Sequence, residues 1–144
     1  LAESIYPNEK IIAWAHNGHI ATDTYDNRQW LLMGQHLKPH WQDELYTLGF
    51  FMIRGQHSHN NGKTLNVSAI HKDDSLESIA YGLRTAAAYI PFTSEDQPGH
   101  GDDWLHQEFI SKSWGINEIP MVLGKAYDGV LVIDHSHAPD FLHR

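Results

Sequence analysis

The chain has 144 residues, enough for one domain with a hydrophobic core, and its aromatic fraction of 11% argues against disorder. A net charge of −8 without any basic run excludes a phosphate-binding surface, so we expect no nucleic-acid partner. The absence of cysteine excludes disulfides and thiol nucleophiles. No stretch reaches the roughly 18 apolar residues of a membrane span, so we expect no membrane contact. No signal peptide is visible, but residues 1–5 read like the end of a helix already under way, so we expect the true N-terminus upstream. We expect a cytoplasmic location.

The first predicted element is a buried strand at 10–14, a short apolar run that leads into a histidine-bearing loop. Residues 26–40 carry apolar side chains at helical spacing and predict a helix that Pro39 ends. A second buried strand is predicted at 45–53, followed by a polar loop up to residue 63.

The second half of the chain continues to alternate between strand and helix patterns. Its predicted elements are strands at 64–70, 86–92, 109–114 and 127–134, a helix from Ser75 to about 84, and a surface loop at 93–103. Strands alternating with helices predict an α/β fold, a layered sandwich with a mostly parallel sheet that is incomplete in this chain.

Three histidine-bearing segments follow predicted strands, at 16–19, 57–59 and 135–137. Ligands of open α/β sheets collect outside the carboxyl ends of the strands. If these strands are parallel, the three segments share one edge of the sheet, and we expect the functional site there.

His16 and His19 are the leading candidates for chemistry. Spaced three residues apart, they suit a pair that activates water or polarises a carbonyl group. The alternative is a turn at the end of a strand, whose histidines only bind the backbone. The nucleophile elbow G-x-S-x-G is absent, so attack by an activated water fits better than an acyl-enzyme.

Metal binding is a second interpretation of the histidines. His57, His59, His135 and His137 form two His-x-His pairs, and zinc sites commonly take His ligands. The metalloprotease run H-E-x-x-H is absent, and close pairs arise by chance among twelve histidines. We therefore expect neither metal nor cofactor. Arg54 has two interpretations: contact with a substrate anion, or a structural ion pair.

Residues 10–19 (KIIAWAHNGH) closely resemble the strand-and-loop motif of the erythromycin esterase family, which includes proteins labelled as succinoglycan biosynthesis proteins. Further landmarks match in order along the chain. They are 33–37 (MGQHL), 48–50 (LGF) with Gly55, and 127–134 (YDGVLVID) followed by Ala138 and Pro139.

The resemblance implies an α/β enzyme that hydrolyses an ester, in the best-known members a macrolide lactone, by histidine-assisted water attack without an obligatory metal. His16 and His19 would line the active-site cleft, Asn17 would fix the loop, and Trp14 and Arg54 would position the loop or contact substrate. Family members carry their favoured general base in an upstream G-E-x-x-H-G motif, which this sequence lacks.

We therefore expect residues 1–144 to be the C-terminal portion of such a domain, with a small α+β subregion at about 55–120, and to be inactive alone. The expected partner is a small ester substrate. The alternative is a non-catalytic domain of the same fold, tied to polysaccharide biosynthesis or small-ligand binding. The sequence leaves the oligomeric state open.

Overall fold

The structure, a computed structural model, describes residues 9–23, 31–59, 61–69, 72–92, 106–113 and 117–140. Its helices are α1 Asn17–Ile20, α2 Met33–Trp41, α3 Leu76–Gly82 and α4 Leu123–Ala126, with a 3₁₀ turn at Gln42–Glu44. Its strands are β1 Leu48–Ser58, β2 Thr64–Val67, β3 Ala87–Pro91, β4 Phe109–Ser113, β5 Asn117–Met121 and β6 Gly129–Ser136. No helix among the described residues is long and apolar enough to cross a membrane.

A four-stranded sheet in the order β2-β1-β6-β3 forms the centre of the fold. Strands β1 and β6 pair in parallel, whereas β2 and β3 add to them in the antiparallel sense. The α/β fold class is confirmed. The described sheet is mixed rather than mostly parallel, because only the central pair is parallel and both outer strands join it in the antiparallel sense. Strands β4 and β5 form a separate two-stranded antiparallel sheet, whereas β2 and β3, also from the 55–120 region, belong to the main sheet.

The hydrophobic core lies on one face of the β1–β6 pair. Phe51 and Val132 are register partners in this parallel pair, so their side chains project from the same face of the sheet. Both are at most 2% exposed, and Leu76 of α3 packs with them in the same buried cluster. The sheet and α3 therefore share one core.

The predicted strand at 10–14 is wrong, because residues 9–16 form neither strand nor helix. Ile12 is 90% exposed and Trp14 is 80% exposed. An apolar run becomes a buried strand only when neighbouring strands satisfy its backbone, and no backbone hydrogen bond joins 9–15 to another described residue.

Several predicted boundaries also shift. Helix α2 continues through Pro39 to Trp41, since a proline in the last turn disturbs little of the helix that precedes it. Strands β1 and β6 run on to Ser58 and Ser136, so His57 and His135 lie in strands rather than in the predicted loops. Strand β5 and helix α4 were not predicted, because both are short and their apolar residues show no clear periodicity. The predicted loop at 93–103 lies outside the described residues.

Gly55 allows β1 to continue past the expected end of the strand. Its φ of +114° is a conformation that side chains rarely adopt, and a Cβ there would overlap the carbonyl oxygen of Ser136 on β6. The Ser136 hydroxyl donates to the carbonyl oxygens of Arg54 and Gln56, at 3.3 and 3.0 Å. This irregular backbone connects the parallel pairing with β6 to the antiparallel pairing with β2.

A second glycine, Gly34, lets α2 pack directly against α1. A Cβ on Gly34 would overlap the carbonyl oxygen of Ile20, at the end of α1. The neighbouring Gln35 side chain accepts a hydrogen bond from the backbone N–H of Leu32 at 2.8 Å, which fixes the start of α2. Because Gly34 has no side chain, α2 can lie against α1, the turn that carries His19.

We expect Gly34→Ala to lower the free energy of unfolding by about 1–3 kcal/mol, the scale of overpacking against a neighbour that cannot move. Gly82→Ala is the matched control, because a Cβ there meets nothing within 4 Å and alanine favours a helix. Urea denaturation of both variants measures the difference. Equal stability of the two variants would contradict the proposed close approach.

Glu77 is a carboxyl group at the interface between α3 and β4. It is fully buried, and its Oε1 accepts from the Ser111 hydroxyl at 3.1 Å and from the Lys112 backbone N–H at 2.7 Å. Its Oε2 is buried without a hydrogen-bond partner among the described residues. Burial raises the pKa of Glu77 above its usual value, and the accepted hydrogen bonds only partly oppose that shift.

A raised pKa in the folded state means that folding favours the protonated carboxyl. Its stabilising contribution is fully present below the unfolded-state pKa and is lost as the pH rises through the folded-state pKa. We expect Glu77→Gln, which stays neutral, to remove this part of the pH dependence. Urea denaturation across a pH series compares it with wild type and with the exposed control Glu44→Gln; identical pH profiles for all three would refute the assignment.

Candidate functional site

His16 forms the N-terminal cap of the short helix α1. Its Nδ1 accepts a hydrogen bond from the Gly18 backbone N–H at 3.1 Å. Because Nδ1 acts as an acceptor, this bond assigns the proton of the neutral imidazole to Nε2. His16 therefore presents a hydrogen-bond donor on the side of the ring opposite to its backbone contact.

His19 lies three residues later, one helical turn along α1, and its side chain is exposed. The ring centroids of His16 and His19 are 6.2 Å apart, with the ring planes at 80° to each other. The helical turn places both imidazoles on one side of the segment. The spacing noted in the sequence thus brings the two rings together in space.

Asn17 anchors the turn to the central sheet. Its Oδ1 accepts from the Phe50 backbone N–H at 2.8 Å, and its Nδ2 donates to the Phe50 carbonyl oxygen. Strand β2 pairs with residues 55–58 of β1, so no described strand lies beside this earlier stretch of β1 on the side away from β6. The amide of Asn17 takes the position of a strand partner at this one residue.

Two further contacts hold the histidine segment. Trp14 packs against Phe50 with ring centroids 5.0 Å apart. At the other end of the turn, Thr22 donates from its backbone N–H to the Ala126 carbonyl at 2.9 Å and from its hydroxyl to the Lys125 carbonyl at 2.8 Å. The turn is thereby fixed between the amino-terminal part of β1 and helix α4, which precedes β6.

Arg54 lies elsewhere on the sheet. Arg54 comes four residues after Phe50 in β1, and four residues span roughly 13 Å along a strand. Its guanidinium donates to Asp134 at 2.8 Å, and this carboxylate raises the pKa of Arg54 above its usual value. The guanidinium also lies 6.0 Å from the ring centroid of Tyr81. The structure thus places Arg54 in an ion pair away from His16.

The four histidines of the metal interpretation lie at the far end of the central pair. The ring centroids of His57 and His59 are 5.4 Å apart, and those of His135 and His137 are 4.6 Å apart. Burial, and then the nearby His59, lower the pKa of His57. Among the described residues, no three His, Asp or Glu side chains are grouped as metal ligands would be.

The expectation that all three histidine segments share one edge of the sheet is therefore wrong. The segments at 57–59 and 135–137 do meet, because β1 and β6 are parallel. The segment at 16–19 is anchored at Phe50, seven residues before His57 and roughly 23 Å away along the strand. The reason is that 10–14 forms no strand of this sheet. The loop after it is therefore not carried to the edge where the parallel strands β1 and β6 end.

Asp128 organises the same end of the sheet as the His16 turn. Its carboxylate accepts from the Lys38 ammonium at 3.0 Å and from the backbone N–H and hydroxyl of Thr47, both at 2.7 Å. Its carbonyl oxygen accepts from the Tyr46 hydroxyl, which also lies 2.6 Å from the Tyr89 hydroxyl. Burial, together with the bond to Tyr89, raises the pKa of Tyr46 to about 12. No sequence signal pointed to this tyrosine pair.

The profile of the erythromycin esterase family matches residues 1–136 of this chain. The chain belongs to the erythromycin esterase family. A Bacillus subtilis relative named "Putative hydrolase YbfO" is 27% identical over 143 residues, which cover 94% of this chain and 32% of the relative. The chain thus spans about a third of the length of the relatives that it matches.

Solved structures share the fold. A Bacillus cereus protein superposes with a TM-score of 0.66 at 21% identity, over 91% of this chain and 34% of its own. A succinoglycan biosynthesis protein gives 0.66 at 20% identity, over 86% and 32%. A point mutant of erythromycin esterase EreC, in its open conformation, gives 0.60 at 17% identity, over 93% and 34%.

We expect Asn17→Ala to lower the free energy of unfolding by about 1–3 kcal/mol, because it leaves the Phe50 N–H and carbonyl without their side-chain partner. Asn61→Ala is the control, because the Asn61 side chain only bonds locally at an exposed turn. Hydrogen exchange at the Phe50 amide should accelerate in Asn17→Ala. An unchanged exchange rate would show that this amide does not anchor the turn.

Proposed function

We propose that this chain supplies one half of the active site of a carboxylic ester hydrolase, with macrolactones among its substrates, that acts by histidine-assisted attack of water. The observation that carries the proposal is the His16–His19 pair, with centroids 6.2 Å apart, held to the sheet by Asn17. Family membership and the resemblance to a relative named as a hydrolase support the class of reaction.

His16 has the geometry of a carbonyl-polarising group. Its Nδ1 accepts from Gly18, so the hydrogen-bond donor of the neutral ring is Nε2–H. An ester carbonyl oxygen gains negative charge as water adds to the carbonyl carbon, and a fixed donor stabilises that charge. Because the cap holds the ring, His16 needs little reorganisation as this charge develops.

His19 suits proton transfer. It is exposed, and one water or substrate oxygen can bridge it to His16. When the tetrahedral intermediate collapses, the bond to the leaving alkoxide breaks, and protonated His19 gives that oxygen its proton. The proton of the attacking water goes to a general base, which the family resemblance assigns to a G-E-x-x-H-G motif that this sequence lacks.

The second candidate is a non-catalytic domain with a role in polysaccharide biosynthesis. The observation behind it is the neighbour named as a succinoglycan biosynthesis protein. At 20% identity, that likeness concerns the fold alone. Ester hydrolysis by the full-length gene product separates the two candidates.

We expect His16→Ala in the full-length gene product to lower kcat by roughly 10²-fold or more on an aryl ester or a macrolactone, the scale of losing one fixed donor to the oxyanion. His137→Ala is the matched control, because His137 lies at the other end of the sheet. Retained turnover in His16→Ala would refute the role of His16. Loss of activity in His137→Ala, restored by added zinc, would instead favour the metal interpretation.

A further inference from the structure

Two neighbouring imidazoles lie where β6 ends, and the proposed hydrolysis uses neither of them. His135 is the last residue but one of β6, and His137 is the first residue after it. Side chains two residues apart along a strand project to the same side. The ring centroids of this pair are 4.6 Å apart, with the ring planes at 55° to each other. Both residues are exposed, so solvent reaches the pair.

The ring nitrogens of this pair are available to a ligand. No described residue forms a hydrogen bond or an ion pair with the imidazole of His135 or His137. The charged group beside them in the sheet is Arg54, the register partner of His135, and Asp134 already holds its guanidinium at 2.8 Å. A neutral imidazole has one nitrogen with a free lone pair, and that nitrogen is a common metal ligand. Each ring can therefore offer one nitrogen to a cation from solvent.

The separation of the two rings indicates which coordination geometry they suit. A metal ion bound to imidazole lies about 2.0 Å from the nitrogen, and therefore about 3.2 Å from the ring centre. Two rings on one ion then have centres about 4.5 Å apart at a right angle and about 5.2 Å apart at the tetrahedral angle. The 4.6 Å between His135 and His137 matches the right angle. Adjacent positions of a square-planar or tetragonal ion make this angle, whereas zinc in proteins prefers the tetrahedral one.

The second pair of histidines at this end of the sheet is less suited to a cation. The ring centroids of His57 and His59 are 5.4 Å apart, too far for a right angle at one ion. The Nε2 atom of His57 is also buried, and it has no hydrogen-bond partner among the described residues. A cation in solvent cannot reach that nitrogen. The geometry therefore favours one pair acting alone rather than four histidines around a common ion.

We propose that His135 and His137 bind one copper(II) ion through one ring nitrogen each, with water in the remaining coordination positions. Copper(II) takes tetragonal sites of nitrogen and oxygen ligands, and such ligands bind it more tightly than nickel(II) or zinc(II). Because water completes the coordination, the site needs no third His, Asp or Glu, and the described residues group none there. The net charge of −8 attracts a dication. The pair lies away from the His16 turn, so this site does not rest on the proposed function.

Titration of this chain with copper(II) chloride, followed by calorimetry and electron paramagnetic resonance, tests the proposal. We expect one ion per chain, bound more tightly than nickel(II) or zinc(II), with a spectrum that reports two imidazole nitrogens. His135→Ala and His137→Ala should each weaken binding at least about tenfold and leave one imidazole in the spectrum. His59→Ala is the matched control, because it breaks a pair of the same sequence spacing and should leave the affinity unchanged. Both positions of the proposed site are exposed, and urea denaturation checks that the variants remain folded.

Three results would overturn the proposal. The first is weak uptake of several ions that no single variant reduces, which is adventitious binding to scattered histidines. The second is unchanged affinity in His137→Ala, or an equal loss in His59→Ala, because either result places the ion elsewhere. The third is tighter binding of zinc(II) than of copper(II), which contradicts the right angle between the two ligands. All of these readouts measure binding, so they are independent of ester hydrolysis.

Discussion

The parallel pairing of β1 with β6 is the constraint on which the rest of the structure depends. It runs from Leu48 beside Gly129 to Gly55 beside Ser136. Parallel strands occur where other elements cover the faces of the sheet. Here the buried side chains of the pair pack with α3 and with the segment before β6. Every other described strand of the main sheet is added to one of these two.

This pairing gives the sheet two chemically different ends. The amino-terminal end holds the His16 turn and the network around Asp128, both fixed by side-chain bonds to backbone groups. The carboxyl-terminal end gathers Arg54 with Asp134, and the two close histidine pairs. Four histidines near one edge look like a metal site in sequence, but their rings meet in pairs rather than around a common point.

Asn17 connects the fold to the proposed chemistry. A single amide satisfies both backbone groups of Phe50 and at the same time orients the turn that carries His16 and His19. An amide is suited to this task because its NH₂ group donates and its carbonyl oxygen accepts, with the spacing of the same groups in a peptide. An ionised carboxylate of similar size accepts hydrogen bonds but cannot donate one. A hydroxyl donates and accepts through a single oxygen, which cannot reach both the N–H and the carbonyl oxygen of Phe50.

The sequence by itself determined the α/β class and the approximate positions of β1, α3 and β6, which depend on periodicity and caps, and these are local. Its ordered motifs indicated the family. The helical turn that brings His16 close to His19 was seen only in the structure. Tertiary structure alone decided that 10–14 is not a strand, that His57 and His135 lie within strands, and that the His16 turn is remote from the other histidines. Strand partners and the left-handed conformation of Gly55 determine these outcomes, and residues distant in sequence supply the partners.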